Sequence, residues 1–283
     1  MIKTNTHSSS LRRTVFRWIG SKWRIMPQLV PLISDHRCYV SVFGGAASDI
    51  ARKPRSRLEV YNDLNADLFN VFSVLRQEPL RKKLCVQLRY SPPSRRHFND
   101  CLSLLHSTNG KPFERAFAFL YATAYSYGGK DPGVATPGAF CPKNVSPSRR
   151  WEAVAEHMEA VGRRFFNVLL ENRPWQEVLD RYDAADVLFY IDPPYVPSTR
   201  VSPNIYRHDM ETGEHVELAS RLLSLKAKVM LSGYHNPIYA PFLADWRTAE
   251  IETYCSIALA KKKPRRTEVV WMNYDKDGRR LAG

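Results

Sequence analysis

An uninterrupted apolar run at residues 187–191, Val-Leu-Phe-Tyr-Ile, is the sequence feature that most restricts the fold. Five apolar residues in succession are typical of a strand buried on both faces, as in a parallel sheet that is covered by helices. Pro193 and Pro194 end this strand, because proline has no backbone N–H to donate to a neighbouring strand. The run therefore predicts a central strand of an α/β fold.

Polar and aromatic groups follow this strand directly. Asp192, Pro193, Pro194 and Tyr195 stand at its carboxyl end, where open α/β sheets place their ligand crevice. A planar base with an exocyclic amine fits these groups, since Tyr195 can stack on the ring while Asp192 and the Pro193 carbonyl accept the amine hydrogens. An Asp-Pro-Pro turn that closes an ordinary strand is the alternative, and the rest of the chain decides between the two.

Two further β-rich runs end in residues that suit a nucleotide-like ligand. Residues 39–43 lead into Gly44 and Gly45, and small residues let a ligand approach the backbone closely. Residues 58–61 lead into Asp63, and an acid after the second strand can accept both hydroxyls of a ribose. These strand ends predict a single ligand crevice.

Residues 81–180 differ from the flanking chain in their many Arg, Lys, Ser and aromatic residues, and they contain helical runs at 112–125 and 149–170. We expect residues 81–180 to form an insertion, and residues 1–80 with 181–283 to form one catalytic domain. Strand patterns resume after the insertion, at residues 187–191, 228–231 and 267–274.

The chain carries 42 Lys and Arg residues against 28 Asp and Glu, a net charge of +14 in 283 residues. Such an excess predicts binding to a polyanion, most often nucleic acid. The basic residues stand in short runs along the whole chain, which favours a folded basic surface, although solvated helix faces account for about half of the runs. The candidates for base or phosphate contacts in the insertion are Arg95, Arg96, Asn99, Lys130, Arg149 and Arg150.

Five widely spaced cysteines without a Cys-x-x-Cys pair argue against a zinc site and against a disulfide framework. His208, Asp209 and His215 lack the spacing of metal ligands, so we expect no metal. The sequence contains no apolar signal segment and no apolar stretch long enough to span a bilayer. Reduced thiols and a cytoplasmic location are the expectation.

Motifs in a fixed order resemble the Dam-type adenine-N6 DNA methyltransferases of the α group, which is common in bacteria and phages. In that group the cofactor motifs come first, a target-recognition insertion second and the catalytic tetrapeptide third. Each motif alone is a weak signal, and their order makes the resemblance specific. The matching segments are Arg17–Lys22, Phe43–Ala47, Asn62–Asn65, Asp192–Tyr195, Ser232–Tyr234 and Arg266–Tyr274.

The resemblance implies S-adenosylmethionine as the cofactor. It also implies a Rossmann-like S-adenosylmethionine-dependent methyltransferase sheet with a mainly helical target-recognition insertion. The site residues that it implies are Trp18 and Lys22 for the methionine part of the cofactor, Phe43, Gly44 and Gly45 for the glycine loop, Asp63 for the ribose, and Asp192, Pro193, Pro194 and Tyr195 for catalysis.

The sequence departs from this family at two cofactor positions. An acid often stands two residues before the phenylalanine of the glycine loop, where this chain has Ser41; Asp192 can share the task of holding the methionine amino group. The family's Asp-Phe pair at the cofactor adenine is replaced by Arg173-Pro174-Trp175. Trp175 can supply the ring contact, and Glu171 is a candidate for the missing acid.

The implied reaction is direct methyl transfer to an adenine that has been flipped out of double-stranded DNA, without a covalent enzyme intermediate. A cytosine-N4 or an RNA adenine acceptor needs nearly the same chemistry, so the catalytic motif leaves both open. A non-catalytic DNA-binding relic of the fold is a further alternative, supported by Ser41 and the altered segment 173–175. We expect a monomer.

Overall fold

The computed structural model describes residues 11, 14, 16–127, 130–142, 147–196, 206–254 and 265–281, and for residues 147–155 and 254 it describes the backbone only. Within these residues, seven strands form one sheet in the order β3-β2-β1-β4-β5-β7-β6. The strands are β1 (Cys38–Ser41), β2 (Leu58–Asn62), β3 (Leu169–Glu171), β4 (Val187–Ile191), β5 (Lys228–Tyr234), β6 (Arg247–Tyr254) and β7 (Arg265–Met272).

Strands β1 to β5 are parallel, and β7 is inserted between β5 and β6 in the antiparallel sense. The strand order reverses at the centre of the sheet, since β1 has β2 on one side and β4 on the other. Such a reversal leaves a crevice at the carboxyl ends of the two central strands. The topology confirms the predicted α/β fold with a Rossmann-like sheet.

Helices surround the sheet. They are α1 (Met26–Leu29), α2 (Ser48–Arg52), α3 (Ala66–Arg76), α4 (Glu78–Arg89), α5 (Arg95–His106), α6 (Pro112–Tyr125), α7 (Pro147–Phe165), α8 (Trp175–Tyr182), α9 (Thr212–Leu223) and α10 (Tyr239–Phe242). The bounds of α6 are those predicted. The sequence also suggests one continuous helix over residues 22–32, and this expectation is wrong. That segment is divided into two 3-10 turns and α1, because Pro27 and Pro31 have no backbone N–H to bond to a carbonyl of the preceding turn.

Two hydrophobic clusters enclose the sheet. On one face, Tyr39 and Tyr190 join residues of α3 and α6, and on the other, Val40 and Phe189 join residues of α8 and α9. All five residues of β4 are buried, as its apolar sequence predicts. Since alternate residues of a strand point to opposite faces, the central strands contribute to both clusters.

Helices α4, α6 and α7 pack against α3, and α5 packs against α6. The strand β3 lies within residues 81–180 yet pairs with β2, so the sheet uses part of that segment. The division into a catalytic domain and an insertion of residues 81–180 stays a prediction. No helix of the described residues has the combination of length and apolar composition that crossing a membrane requires.

Gly44 leaves no room for a side chain, because a Cβ at this position would lie 2.2 Å from Tyr61 Cε2. Gly44→Ala is expected to destabilise the fold by about 1–3 kcal/mol, the usual cost of overpacking a tight site. Gly213, in α9, is the matched control, since no atom lies within 4 Å of its Cβ position. Gly213→Ala should leave the free energy of unfolding in urea unchanged or slightly raised; equal losses in the two variants would contradict the packing argument.

Candidate active site

A cavity of about 980 Å³ lies at the carboxyl ends of β1, β2 and β4. The glycine loop after β1, the acid after β2 and the motif after β4 all contribute to its wall, because parallel strands bring their carboxyl ends to one edge of the sheet. The predicted residues on this wall are Trp18, Lys22, Phe43, Gly44, Gly45, Asp63, Lys130, Trp175, Asp192, Pro193, Pro194 and Tyr195.

Lys22 and Asp192 form a buried ion pair, with 2.6 Å between Lys22 Nζ and Asp192 Oδ1. The same ammonium donates to the Gly20 carbonyl at 3.2 Å and lies 3.5 Å from Glu268 Oε1. Gly20 and Asp192 thus accept two of its N–H bonds, and Glu268 places a second negative charge beside the same ammonium. Lys22 therefore orients Asp192, and the contact with the methionine part of a cofactor that the resemblance implies for it stays a prediction.

Two carboxylates share the one ammonium of Lys22. Burial raises the pKa of Asp192 to about 7; Lys22 opposes this effect and Glu268 adds to it. Burial lowers the pKa of Lys22, but Asp192 and Glu268 outweigh that effect, so its pKa is raised. Lys22 accordingly stays charged throughout the physiological range, whereas Asp192 changes its protonation state near neutral pH.

Tyr195 is held by its hydroxyl. The phenol donates to Glu268 Oε1 at 2.5 Å, and the ring lies 4.4 Å from the ring of Tyr234, at an angle of 58°. The Ser232 hydroxyl donates to the same Glu268 oxygen at 2.6 Å. The fixed hydroxyl leaves the half-buried ring as part of the cavity wall.

Glu268 was not predicted from the sequence, although it contacts two predicted residues. It lies in β7, opposite Tyr234 of β5 in the antiparallel register, and its side chain is 2% exposed. The sequence contains one indication of this residue, because Glu268 is an acid that directly precedes the apolar run Val-Val-Trp-Met. Buried acids are rare unless they are paired, so an acid at this position points to a partner in the site.

Asp63 is bound to the glycine loop. One carboxylate oxygen accepts from the Gly45 backbone N–H at 2.8 Å and the other from the Asn65 N–H at 2.9 Å. Gly45 has a φ of +49°, a left-handed conformation that glycine adopts without strain. Burial raises the pKa of Asp63 to about 6. These bonds fix the acid at the cavity, and its contact with a ribose stays a prediction.

Trp175 begins α8 and lies on the cavity wall. Its side chain is buried, and its indole Nε1 has no hydrogen-bond partner among the described residues. Glu171 is not on the wall: it accepts from Arg173 Nε at 3.1 Å and from the Tyr182 hydroxyl at 2.8 Å. Glu171 is therefore a poor substitute for the acid that the family has near the cofactor adenine.

Two chain segments that are distant in sequence close the cavity above the strand ends. The Tyr206 hydroxyl donates to the Ile19 carbonyl at 2.9 Å, and the Tyr206 ring lies 5.9 Å from the ring of Trp18. Gly20 has a φ of +80°, and a Cβ there would lie 2.4 Å from the Tyr206 hydroxyl. We call Trp18, Ile19, Gly20 and Tyr206 the roof of the cavity.

Arg207, next to the roof, was also missed. Its Nη1 lies 2.9 Å from Asp67 Oδ2, and Arg115 binds both oxygens of the same carboxylate at 2.7 and 3.0 Å. Asp67 is fully buried, so the two guanidinium groups balance its charge. This bond attaches the segment after the catalytic motif to α3.

The predicted DNA-binding residues separate into three groups. Lys130 lies on the cavity wall, whereas Arg95, Arg96 and Asn99 are exposed on α5 away from it. The side chains of Arg149 and Arg150 lie outside the described part of the chain. The wall also contains basic residues that were not predicted, namely Arg17, Arg24, Arg173, Arg207 and Arg266.

No group of three or more His, Cys, Asp or Glu side chains in the described residues is arranged to hold a metal ion. His215 is fully buried, with its Nδ1 2.7 Å from the Tyr239 hydroxyl. That contact joins α9 to α10 and gives the residue a place in the packing of the fold.

Comparison with known proteins identifies the family. The family model described as D12 class N6 adenine-specific DNA methyltransferase matches residues 18–254. The DNA adenine methylase of Salmonella typhi is 24% identical over 250 residues, which cover 78% of this chain and 81% of that protein. The DNA N-6-adenine-methyltransferase of Escherichia phage P1 is 25% identical over 250 residues, 81% of this chain and 31% of that protein.

A type II methyltransferase of Lactococcus lactis subsp. cremoris is 21% identical over 281 residues, which cover 93% of this chain and 95% of that protein. The family match includes the glycine loop, Asp63 and the motif from Asp192 to Tyr195. The match favours adenine N6 as the acceptor over the cytosine and RNA acceptors that the motif left open. It also favours an enzyme over a non-catalytic relic of the fold. The chain belongs to the D12 class of N6 adenine-specific DNA methyltransferases.

Proposed function

We propose that this enzyme binds S-adenosylmethionine in the cavity and methylates the N6 atom of an adenine that has been flipped out of double-stranded DNA. The observation that carries the proposal is that Asp192 and Tyr195 line the same cavity as Asp63 and the glycine loop. A cofactor held by the loop and by Asp63 would present its methyl group to Asp192 and Tyr195, which receive the base. Only a flipped base can enter a cavity of this kind, since a stacked base is enclosed by the duplex.

The residues of the cavity fit this cofactor. Asp63 offers a carboxylate to the ribose hydroxyls, and the ring of Trp175 lies on the same wall, where it can contact the adenine of the cofactor. When it is bound, S-adenosylmethionine supplies a methyl group that its sulfonium has already activated. The task left to the protein is mainly to align the amino group of the target with that methyl group.

Asp192 is the residue that we assign to the amino group of the target base. Its Oδ1 is bound by Lys22, and its second oxygen has no hydrogen-bond partner among the described residues, so that oxygen can accept an N–H of the base. The Pro193 carbonyl accepts the second N–H of the same amino group. The amino nitrogen loses a proton as it gains the methyl group, and the raised pKa of Asp192 lets this carboxylate accept that proton.

Tyr195 is expected to support the flipped base by stacking. Tyr195→Ala should weaken the binding of DNA that contains the target site by about 1–3 kcal/mol, the usual worth of stacking a base on an aromatic ring. Tyr195→Phe, which loses the hydroxyl that Glu268 holds but keeps the ring, is the matched control. Titration of DNA with 2-aminopurine at the target position measures the effect; an equal loss of cofactor affinity in calorimetry would contradict it.

Double-stranded DNA is the proposed substrate, and the net charge of +14 supports it. Arg17, Arg24, Lys130 and Arg266 border the cavity, where they can contact the phosphates on either side of a flipped nucleotide. Such contacts offset the cost of unstacking the base, which is a few kcal/mol. A monomer is the state that we propose, and a DNA substrate supports the cytoplasm as its location.

The proposal is tested by incubating the purified enzyme with methyl-labelled S-adenosylmethionine and three acceptors, namely unmethylated duplex DNA, the same DNA as single strands, and RNA of matching sequence. Nucleosides from each digest are then separated by mass spectrometry. We expect label in N6-methyldeoxyadenosine from the duplex. Label in N4-methyldeoxycytidine, or in RNA alone, would overturn the assignment of the acceptor. Sequencing with modified-base detection on the same DNA identifies the recognition site.

A further inference from the structure

Asp49 is a buried acid on the wall of the cavity that the sequence did not single out. It lies in the first turn of α2, directly after the glycine loop, and it is 3% exposed. Its Oδ2 accepts a hydrogen bond from the Tyr39 hydroxyl at 3.1 Å. None of the ion pairs formed by the described residues includes Asp49.

Three other acids of the cavity wall lie beside a cation of the protein. Asp192 and Glu268 share Lys22. Asp131 lies 3.9 Å from the guanidinium group of Arg207 and accepts from the side chain of Asn65 at 2.8 Å. Asp49 forms no ion pair with another described residue; the cation nearest to its partner Tyr39 is Lys53, whose ammonium lies 4.4 Å from the centre of the Tyr39 ring and is paired with Glu59.

Asp63 likewise forms no ion pair with a described residue, and backbone N–H groups bind its oxygens. Burying an ionised carboxylate without a partner charge is costly. Burial raises the pKa of Asp49, while the Ser41 hydroxyl, the Ile50 backbone N–H and the Tyr39 hydroxyl oppose that rise. Asp49 is thus a wall carboxylate, next to the glycine loop, whose charge a positively charged ligand group would balance.

The position of Asp49 explains why Ser41 is tolerated. Ser41 ends β1 at the place where the family often has an acid, and its hydroxyl lies close enough to Asp49 to affect that carboxylate. The charge of Asp49 in turn acts on Asp192. Asp49 therefore lies between the site of the missing acid and the reacting centre.

A purely structural role for Asp49 explains less. The Tyr39 hydroxyl needs an acceptor, and a neutral amide would satisfy it without the cost of burying a charge. The structural role also gives no reason for a carboxylate on the cavity wall, next to the carboxyl end of β1. A ligand that carries an ammonium group accounts for both the charge and the position.

We propose that Asp49 binds the ammonium group of the amino-acid part of the cofactor, in place of the acid that is absent at Ser41. The inference rests on the proposed cofactor. The carboxylate of Asp49 stands eight positions later in the sequence than the acid of the family would, but it lies at the same end of β1. It also makes Asp49, and not Asp192, the main contact of that ammonium, so that Asp192 is left to the target base.

Calorimetry with two ligands tests the proposal. S-adenosylhomocysteine has the ammonium group but no sulfonium charge, and 5′-methylthioadenosine has the nucleoside and the thioether without the amino-acid part. We expect Asp49→Asn to weaken the binding of S-adenosylhomocysteine by about 10- to 100-fold, the range for a lost hydrogen bond to a charged group. Binding of 5′-methylthioadenosine should stay within about twofold. Asp63→Asn, the matched control, should weaken the binding of both ligands, because both contain the ribose.

The outcomes separate this inference from the function on which it rests. Wild-type enzyme that binds neither S-adenosylmethionine nor S-adenosylhomocysteine would overturn both. Wild-type binding with no selective loss in Asp49→Asn would overturn the role of Asp49 and leave the cofactor in place. Equal losses for the two ligands would likewise count against an ammonium contact, because they indicate a general distortion of the cavity.

A second pair of variants distinguishes the loss of the carboxylate from a loss of the fold. Asp49→Ser alone should show the same selective loss, and Ser41→Asp combined with Asp49→Ser returns a carboxylate to the end of β1. We expect the double variant to regain part of the preference for S-adenosylhomocysteine over 5′-methylthioadenosine. A preference no greater than that of the single variant contradicts the assignment. Thermal unfolding of each protein shows that the comparison is made between folded chains.

Discussion

Asp192→Asn is expected to lower kcat by about 10²- to 10⁴-fold, the range for removing one group that acts on a reacting amine. Asparagine keeps the shape of the side chain and one acceptor oxygen, but it has no charge to offset the positive charge that develops on the amino nitrogen, and it accepts no proton. The variant also frees Lys22, whose ammonium still has Gly20 and Glu268 as acceptors. Single-turnover methylation of duplex DNA measures the loss.

The fold should survive this change, because Asp192 lies at the cavity and is not part of either hydrophobic cluster. Thermal unfolding and calorimetry with S-adenosylhomocysteine provide the control, and both should stay close to the wild-type values. If Asp192→Asn kept more than about a tenth of the wild-type kcat, the assigned role would be untenable.

Lys22→Met is expected to produce the second large effect, a fall in kcat together with a shift of the pH profile. In the wild-type enzyme, Asp192 must be ionised to accept a hydrogen bond from the base, and its pKa is raised to about 7. The kcat/KM value should therefore fall about tenfold per pH unit below that point. Without Lys22, two buried carboxylates have no shared cation, so the pKa of Asp192 rises further and the acid limb moves to higher pH.

Profiles of kcat/KM from about pH 5.5 to 9 for both proteins reveal this shift. In the wild-type enzyme, the positive charge of a bound S-adenosylmethionine favours ionised Asp192, so the acid limb of kcat should lie at lower pH than that of kcat/KM. Lys130→Met is the matched control, since Lys130 lies on the same wall but forms no ion pair with Asp192. An acid limb that does not move in Lys22→Met would show that another group controls the profile.

The sequence predicted the centre of the sheet well for a physical reason. The strands β1, β2, β4 and β5 are mostly apolar runs that lead into turn residues such as Gly, Pro, Asn or Asp, and local composition alone carries that information. Because parallel strands end at one edge of the sheet, the residues that follow these strands could be assigned to one crevice from their positions in the chain. Asp63 and Asp192 are examples.

The edge strands escaped prediction because neither of them is a long apolar run. In β6, charged and polar residues alternate with Ala249 and Ile251, and β3 has only three residues. Each of them takes its conformation from pairing with a neighbour, β7 for β6 and β2 for β3. Pairing between distant segments is tertiary information that a local pattern does not contain.

The missed site residues share that cause. Glu268 reaches Tyr195, 73 positions away in the chain, only through the antiparallel register of β5 and β7. Arg207 reaches Asp67 through the course of the chain after the catalytic motif. Asp49 belongs to a helix of five residues whose place in the cavity depends on the glycine loop before it. Sequence patterns locate strand ends, whereas these three contacts depend on how separate elements meet.

The roof has a consequence for the order of assembly. The hydrogen bond between Tyr206 and Ile19 joins residues 187 positions apart, and joining such distant segments in an unfolded chain is entropically unfavourable. The sheet, whose strands begin at Cys38, can form first and bring the two segments together. A chain that has completed its strands but not its roof lacks a closed site. The methyl donor would then stabilise only fully assembled molecules by mass action, so a variant that cannot form the Tyr206–Ile19 bond should show a smaller rise in melting temperature on adding it.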